Sequence, residues 1–519
     1  MSLFKATAIV SIFTFISRIS GFIRDMVVAW LWGTSIWGSA FFVVFQIPNF
    51  MRRLFAEGSF SLAFVPVLNE IKATGSKADL KHFIDRVSGT LMTIVIIVWI
   101  VMEIFAPQIL TLFAYTWVED KPEVFDEAVW MLRFTLFYLP MITLVAFAGG
   151  VLNAHKKFAL PAATPILLNL SLIGCAIFLK DSFDISVKSL AVGVLVAGVL
   201  QLMVQIPSLY RLGLIPKFIP DFKDSKIKKV MKLMVPTLFA SSVAQVNLLL
   251  DTLIATMLPI VGVSFLYFSN RLLEFPLGVF VIAISTVILP TLSRQFAKSE
   301  DEKFLNTMKW ALNLGFFIAI PAAVGLLVLA KEVVVTLYQY GEFNAESTEF
   351  TSLSLIAFML ALPAFVLNKI LLPAYYSRKD TKTPVKIGLI SMFSNMGLNI
   401  LFVWLMWYLG FIALHVGLAL ASAVSGWLQT ILLYRSLKKN GIISNGVIDW
   451  MFVVKISVSA IVMAGVLVFI ISNLSEWQVY SASWRAFYLL MCISIGFAIY
   501  LLCLKAQRVN FKNLLVHQS

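Results

Sequence analysis

Long apolar runs constrain the fold of this chain more than any other feature of its sequence. Runs such as 91–103 and 453–471 contain few polar side chains, and of the 519 residues 60% are hydrophobic and only 13% are charged. Soluble domains average roughly 45–50% apolar and about 25% charged residues. The excess apolar surface requires a bilayer, in which helices satisfy their own backbone hydrogen bonds. The sequence therefore predicts an all-α polytopic membrane protein.

Windows of about 20 apolar residues between polar turns predict about fourteen transmembrane helices. We expect them at residues 6–32, 37–68, 86–115, 126–153, 160–180, 187–211, 233–258, 262–293, 306–338, 347–376, 384–408, 411–436, 450–472 and 484–505. An even number of spans returns the chain to the side of the membrane on which it began.

Charged residues in the connections predict the orientation of the chain. Lysine and arginine recur in alternate connections, whereas acidic residues gather at 119–127 and 342–349. Basic residues are in excess in the short cytoplasmic loops of membrane proteins, so we expect both termini in the cytoplasm. The formal net charge of +14 then reflects topology. Nucleic acid is excluded as a partner, because an apolar membrane body leaves little basic surface for it.

Matching segments divide the first twelve predicted helices into two six-helix lobes. Gly193 and Gly417 lie in V-G-V-L-V-A and V-G-L-A-L-A, and further echoes follow in the same order. Because six is even, the two copies share one orientation, as in parallel pseudo-repeats. We expect an N-terminal lobe at 1–212, a basic cytoplasmic linker at 213–232 whose lysines meet anionic lipid headgroups, a C-terminal lobe at 233–440, and two added helices within 441–519.

Several ionisable residues fall inside predicted spans, where each costs about 2.5–3.5 kcal/mol and persists only if it is paired, hydrated or functional. A helical rise of about 1.5 Å per residue places Arg18 and Arg52 near the middle of the membrane, and Arg24 and Arg271 nearer its outer side. We predict that these four guanidinium groups converge on a water-filled path for a large anion. The full set comprises Arg18, Arg24, Asp25, Arg52, Arg53, Glu57, Asp251, Arg271, Glu274 and Lys369.

Buried ion pairs between helices are the alternative explanation for these charges. Arg53 and Glu57 are spaced for an i,i+4 pair and Arg271 and Glu274 for an i,i+3 pair. We expect Gly21 to bend the first helix so that the arginines on either side of it face inward.

The predicted ligand of the arginines is a phosphate or pyrophosphate, because the planar guanidinium fork binds phosphate oxygens bidentately and stays charged. The sequence contains no Walker motif that would supply energy from a nucleotide. We therefore expect a secondary transporter rather than an enzyme, driven by an ion gradient or by the membrane potential.

An acidic residue within an apolar helix is a candidate for ion coupling, and Asp251 is such a residue. Asn395 and Asn399 are spaced i,i+4 and would offer oxygen ligands to Na⁺ by analogy with other hard cations. Hydrogen bonding between helices is an equally good explanation of this asparagine pair. His415 is a weaker candidate for a proton relay, and a core histidine with satisfied hydrogen bonds is favoured.

Four long motifs carry a resemblance to a known family. They are S-R-I-S-G-F-I-R-D at 17–25, A-F-F-V-V-F-Q-I-P-N-F-M-R-R-L-F-A-E-G-S-F at 40–60, F-S-N-R-L-L-E-F-P-L-G-V at 268–279 and Y-S-R-K-D-T-K-T-P-V-K at 376–386. In these segments, and over essentially its whole length, the chain resembles the MurJ/MviN family of lipid II flippases.

The resemblance implies a fold of the multidrug, oligosaccharidyl-lipid and polysaccharide exporter type, in which the last two helices form a groove for a polyprenyl tail. It implies transport of lipid II from the inner to the outer leaflet of the cytoplasmic (inner) membrane. It also implies no cofactor beyond a Na⁺ or H⁺ coupling ion, a monomer, and contact with membrane lipids and the cell-wall synthesis machinery. The matching positions are Arg18, Arg24, Arg52 and Arg271 for substrate, Ser264 among the supporting residues, and Asp251, Asn395 and Asn399 for Na⁺.

The chain departs from the family pattern at two positions. Ser39 stands where many relatives have an acidic residue, and Asn399 stands where a sodium-binding relative has aspartate.

Three other functions remain open. One is transport of a different polyprenyl-linked oligosaccharide, which needs the same basic path. Another is export of a cationic drug, which calls for carboxylates in the cavity. The third is a glycosyltransferase acting on lipid II, for which the acidic connections at 119–127 and 342–349 would have to supply a catalytic acid.

Overall fold

The computed structural model is built from α-helices. It describes residues 3–55, 59–260, 262–278, 282–444, 446–474 and 476–510, apart from the side chains of 3–8, 54, 55, 59, 61, 62, 235–244 and 282–287. In these ranges the chain forms no strand. The helices are α1 (Leu3–Trp32), α2 (Ile36–Phe55), α3 (Ser59–Thr74), α4 (Lys77–Ile104), α5 (Ala106–Phe113), α6 (Tyr115–Asp120), α7 (Pro122–Leu136), α8 (Tyr138–Ala154), α9 (Ala159–Phe178), α10 (Lys188–Leu212), α11 (Ser225–Thr256), α12 (Val263–Pro276), α13 (Ile282–Ala297), α14 (Asp301–Val328), α15 (Ala330–Tyr338), α16 (Ala345–Met359), α17 (Leu362–Tyr376), α18 (Lys382–Tyr408), α19 (Val416–Lys439), α20 (Trp450–Ser472) and α21 (Ala482–Ala506).

Each predicted segment corresponds to one helix or to two consecutive helices. Two of the breaks coincide with prolines, because proline suits the first turn of a helix and interrupts its interior. Pro107 lies in the first turn of α5, and Pro363 lies in the first turn of α17. The α16–α17 pair is bent by 43° at this break. Apolar windows do not register such breaks, since the residues on both sides are equally apolar.

Nine helices of the described chain are long and apolar enough to cross a membrane, or ten if the bent α16–α17 pair counts as one span. They indicate a multi-pass membrane protein. The predicted number of about fourteen spans stays a prediction, because length and composition alone do not identify the others.

Contacts within the chain group it into two compact units, a first unit at Met1–Ser264 and a second unit at Phe265–Ser519. Helix α11 packs on α2, α3, α4 and α5 of the first unit, although the sequence assigns it to the C-terminal lobe. It also begins at Ser225, inside the predicted linker, because the Asp224 side chain accepts hydrogen bonds from the backbone N–H groups of Lys226 and Ile227. The lobe boundary at 213–232 stays a prediction.

Residues 213–224, which we call the strap, lie along α4. A Cβ atom on Gly89 would fall 2.3 Å from the carbonyl carbon of Ile219, so that only glycine allows this approach. The Asp85 carboxylate accepts a hydrogen bond of 2.8 Å from the backbone N–H of Lys217. The Asp85 carbonyl accepts another of 3.1 Å from Ile219. The strap is thus bonded to α4 through its backbone, and the expected contact of its lysines with anionic lipid headgroups stays a prediction.

The predicted repeat has a counterpart inside each unit. A Cβ atom on Gly193 of α10 would lie 3.1 Å from Cα of Leu172 on α9. A Cβ atom on Gly417 of α19 would lie 3.1 Å from the carbonyl carbon of Phe402 on α18. In both units the glycine lets two successive helices approach closely, which is a common device in membrane proteins.

Helices α20 and α21 are anchored within the second unit. α20 packs on α14 and α21, and α21 also packs on α15. The connection between them is held by Trp477, whose indole N–H donates to Thr336 over 2.9 Å. Arg485 holds it as well and donates to the carbonyls of Tyr480, Gln478 and Gln339. The predicted groove for a lipid tail along these helices stays a prediction.

Candidate functional site

Arg24 and Asp25 form a buried ion pair in α1. Arg24 is 6% exposed and Asp25 2%. The Nε and Nη2 atoms of Arg24 donate to Oδ1 of Asp25 over 2.9 and 2.6 Å. Asp25 thus contacts Arg24 directly and balances its charge within the helix. The supporting role predicted for Asp25 stays a prediction.

Asn169 of α9 is a second acceptor for Arg24 that the sequence did not predict. Its Oδ1 accepts from Nη1 of Arg24 over 3.1 Å, and its Nδ2 donates to the carbonyl of Ser17 over 3.0 Å. α1 is continuously helical through Gly21, and the expected bend there stays a prediction. Gly21 allows a close approach, because a Cβ atom on it would lie 3.3 Å from Nδ2 of Asn169.

Arg18, one and a half turns before Arg24, has a different environment. Its side chain is half-buried. Among the residues that the structure describes, it makes no hydrogen bond or ion pair. A guanidinium within an apolar helix and without such a partner requires water or an anionic ligand.

Arg52 and Arg53 end α2 and bond to different amides. Nε and Nη2 of Arg52 donate to Oδ1 of Asn49 over 3.0 and 2.7 Å. Arg53 Nη1 donates to Oε1 of Gln245 on α11 over 2.8 Å. Glu57, the predicted partner of Arg53, lies outside the described residues.

Ser39 and Ser264 meet at the starts of α2 and α12. Both are 0% exposed, and their hydroxyl oxygens lie 2.7 Å apart. Ser39, which departs from the family pattern, therefore belongs to a buried pair of neutral hydroxyls in this chain.

Arg271 lies on α12 in the second unit. Its Nη1 atom forms the predicted i,i+3 ion pair with Oε2 of Glu274 at 3.0 Å. Its guanidinium carbon also lies 5.6 Å from the centre of the Tyr267 ring, a distance typical of a cation–π contact. Arg18, Arg24 and Arg52 belong to the first unit, so the convergence of all four arginines stays a prediction.

The candidate sodium ligands belong to different units. Asp251 is half-buried on α11 of the first unit. In the second unit, Asn399 Nδ2 donates to Oδ1 of Asn395 over 3.1 Å, and Asn395 Nδ2 donates to Ser425 over 3.2 Å. The bond from Asn395 to Ser425 joins α18 to α19, as in the alternative that the sequence offered, whereas the bond between the two asparagines lies within α18. Their amide oxygens are of the type that Na⁺ binds, but Oδ1 of Asn395 accepts a hydrogen bond here.

His415 is a satisfied core histidine. It is 1% exposed, and its Nε2 atom lies 3.2 Å from the carbonyl oxygen of Phe350. Its ring stacks on Phe265 with the ring centres 4.8 Å apart. These contacts match the favoured interpretation of this residue.

The residues that sequence reasoning missed are amides that orient arginines, namely Asn49, Asn169 and Gln245. Each of these amides has apolar neighbours in the sequence. Burying an amide without a hydrogen-bond partner costs free energy, and this cost was a signal that each of them has a partner. The sequence did not indicate which arginine each of them contacts.

The helical fold, with its nine described helices that are long and apolar enough to cross a membrane, defines a multi-pass membrane protein. A solved inward-facing multidrug resistance MATE family transporter of the MOP superfamily has the same fold at a TM-score of 0.67 and 15% identity, over 81% of this chain and 96% of that one. A structure described as lipid II flippase MurJ in an inward closed conformation has a TM-score of 0.80 and 28% identity, over 98% of this chain and 99% of that one.

The sequence relatives give the family. The family model described as "Lipid II flippase MurJ" matches residues 28–488. A probable lipid II flippase MurJ of Vibrio cholerae is 41% identical over 518 residues, 99% of this chain and 97% of the relative. The lipid II flippase MurJ of Burkholderia cenocepacia is 35% identical over 90% of each chain. The chain belongs to the lipid II flippase MurJ family, a family of transporters rather than enzymes.

Proposed function

We propose that this chain transports lipid II, the undecaprenyl-pyrophosphate-linked peptidoglycan precursor, from the inner to the outer leaflet of the cytoplasmic membrane. The observation that carries the proposal is Arg18, a half-buried arginine of α1 without a hydrogen bond or ion pair in the described part of the chain. Its cost within a membrane is offset when an anionic headgroup or water solvates it. A pyrophosphate satisfies both the charge and the forked geometry of guanidinium groups.

The surroundings of the arginines determine the order in which they contact the pyrophosphate. Arg24 and Arg271 each have an adjacent carboxylate, at 2.6 Å and 3.0 Å. Arg52 is held by the neutral amide of Asn49. Arg18 therefore makes the first contact with the pyrophosphate. Arg24 and Arg271 are engaged later, when the headgroup competes with their carboxylates.

The transport cycle is alternating access of a secondary transporter. The two six-helix lobes predicted from the sequence rock about the headgroup while the polyprenyl tail stays in lipid beside α20 and α21. Either the membrane potential or Na⁺ held by Asp251, Asn395 and Asn399 resets the cycle. The protein acts as a monomer in the cytoplasmic membrane, with both termini in the cytoplasm, and serves the cell-wall synthesis machinery.

A second candidate is transport of another polyprenyl-linked oligosaccharide, since the same arginines would bind its pyrophosphate. Competition distinguishes the two. If lipid II is the substrate, excess lipid II displaces a labelled polyprenyl-pyrophosphate oligosaccharide from the purified protein, while the oligosaccharide displaces labelled lipid II poorly.

Lipid II export in cells depleted of their own flippase tests the proposal. Arg18→Ala should lower the amount of lipid II accessible at the outer surface about tenfold or more, because it removes charge-assisted hydrogen bonds to the pyrophosphate. Arg211→Ala is the matched control, since Arg211 is an exposed arginine at the end of α10. The proposal fails if Arg18→Ala, expressed at the normal level, exports lipid II as the control does.

A further inference from the structure

Asn169 places a polar side chain in the middle of the apolar helix α9. The side chain is buried, with 6% exposure, and both ends of its amide are engaged. Oδ1 accepts from Nη1 of Arg24 over 3.1 Å. Nδ2 donates to the carbonyl of Ser17 over 3.0 Å and to Oγ of Ser20 over 2.9 Å. No other class of side chain of this size offers one acceptor and two donors.

The part of α1 that contacts Asn169 provides a partner for each end of this amide and space for it. Ser17 offers its carbonyl, Ser20 its hydroxyl and Arg24 its guanidinium, and Gly21 leaves the space that the amide occupies. A methyl group at Gly21 would lie 3.3 Å from Nδ2 of Asn169, which is tight for a neighbour held by three hydrogen bonds. The motif at 17–25 thus supplies the groups that contact Asn169, a residue far away in sequence.

Arg24 is held by two acceptors of different kinds. Asp25 is its neighbour in α1 and takes Nε and Nη2, so that it moves with α1. Asn169 accepts a hydrogen bond from Nη1 and thereby connects the guanidinium to α9. Two acceptors on different helices set the plane of the guanidinium, and the one on α9 sets it relative to that helix.

We infer that Asn169 is the positioning residue for Arg24 in substrate binding. The inference rests on the proposed function, in which Arg24 meets the pyrophosphate. A neutral amide orients Arg24 without adding charge, whereas a second carboxylate would leave the cluster with Asp25 net negative and repel the anion.

Two measurements on the purified full-length protein test the inference. The first is the rate at which phenylglyoxal modifies Arg24, followed by mass spectrometry with exposed Arg211 as the internal reference; it does not require transport. The second is the affinity for lipid II. Asn368→Ala is the matched control, because Asn368 is also 6% exposed and bonds to Thr430 over 2.9 Å in the second unit.

Asn169→Ala should raise the modification rate of Arg24 and lower the affinity for lipid II, each by about tenfold, because one charge-assisted bond to the guanidinium is lost. Asn368→Ala should change neither. Equal modification rates of Arg24 in wild type and Asn169→Ala would overturn the inference.

Asn169→Asp keeps the shape of the side chain and the acceptor for Arg24, while it adds a negative charge and removes the hydrogen bond that Nδ2 donates to the Ser17 carbonyl. It should keep Arg24 protected from phenylglyoxal yet weaken lipid II binding about tenfold through the added charge. The double variant Asp25→Asn/Asn169→Asp restores the charge and should recover most of the affinity. If Asn169→Asp binds lipid II as wild type does, the inference is wrong. If Arg24 responds as expected but wild type binds no lipid II, positioning stands and the proposed function fails.

Discussion

Arginines at different positions in this protein have different partners for their charge. Arg24 lies beside a buried carboxylate, and Arg18 has no ion pair among the described residues. The carboxylate neighbours of Arg24 and Arg271 were predictable, since they are one and three residues away on the same helix. The amide of Asn169 was not, because it is 145 residues away in sequence.

The buried hydroxyl pair of Ser39 and Ser264 predicts a coupled stability effect. Either Ser39→Ala or Ser264→Ala leaves one buried hydroxyl without its 2.7 Å partner, so each should lower the free energy of unfolding by about 1–3 kcal/mol. The double variant should cost clearly less than the sum, because neither hydroxyl then remains. A double-mutant cycle in detergent by denaturant unfolding measures this coupling. Additive costs, within about 0.5 kcal/mol, would contradict the pairing.

At the scale of elements, the strap makes contacts that the sequence did not indicate. Its lysines and prolines suggest a solvated linker, yet its backbone bonds to Asp85, and Arg86 of α4 lies 2.6 Å from Asp224. Asp224 also caps α11. One carboxylate thus joins the end of the strap, the start of α11 and the N-terminal part of α4.

Asp224 makes the stability of this junction depend on pH. Burial raises its pKa, but the hydrogen bonds from Arg86 and from the backbone of Lys226 and Ile227, together with the charge of Arg86, outweigh burial and hold the pKa below its ordinary value of 3.8. A carboxyl with a lowered pKa in the folded state stabilises the fold above its unfolded pKa, and this contribution is lost as the pH falls through the folded value.

Wild type should therefore be more stable than Asp224→Asn at pH 6, and the difference should shrink below about pH 4. Thermal unfolding of both proteins in detergent from pH 3 to pH 6 measures it. A difference that stays constant over this range would mean that Asp224 does not titrate as the contacts require.

At the scale of the whole molecule, the two units repeat one packing device. Gly193 lets α10 approach α9, and Gly417 lets α19 approach α18, each with room for no further atom beside the neighbouring backbone. A second equivalence involves α10 and α19 again, this time in contact with α8 and α17. Gln205 of α10 donates to the carbonyl of Val145 on α8, and Asn368 of α17 donates to Gln429 of α19. The repeat in the sequence is therefore a repeat of helix contacts.

Alanine at either glycine should destabilise the protein. In Gly193→Ala and Gly417→Ala the added methyl group would lie 3.1 Å from backbone atoms that do not move easily, and overpacking of this kind costs about 1–3 kcal/mol. Gly174→Ala and Gly397→Ala are the controls, with nothing within 4 Å of the added methyl group. They should be neutral or stabilising by up to about 1 kcal/mol, because alanine favours helix. Thermal unfolding in detergent compares the four variants, and similar midpoints in all four would argue against close packing at the repeat.

The sequence by itself determined the all-helical membrane class, the positions of most helices and the family, and it singled out the arginines within predicted spans. These follow from the composition of local segments and from spacings along one helix. Only the tertiary structure decided that Asn169 holds Arg24, that Ser39 meets Ser264 across 225 residues of chain, and that the strap docks on α4. The physical reason is that helices in a bilayer are apolar on the faces that meet lipid as well as on those that pack, so that hydrophobic periodicity does not reveal which faces come together.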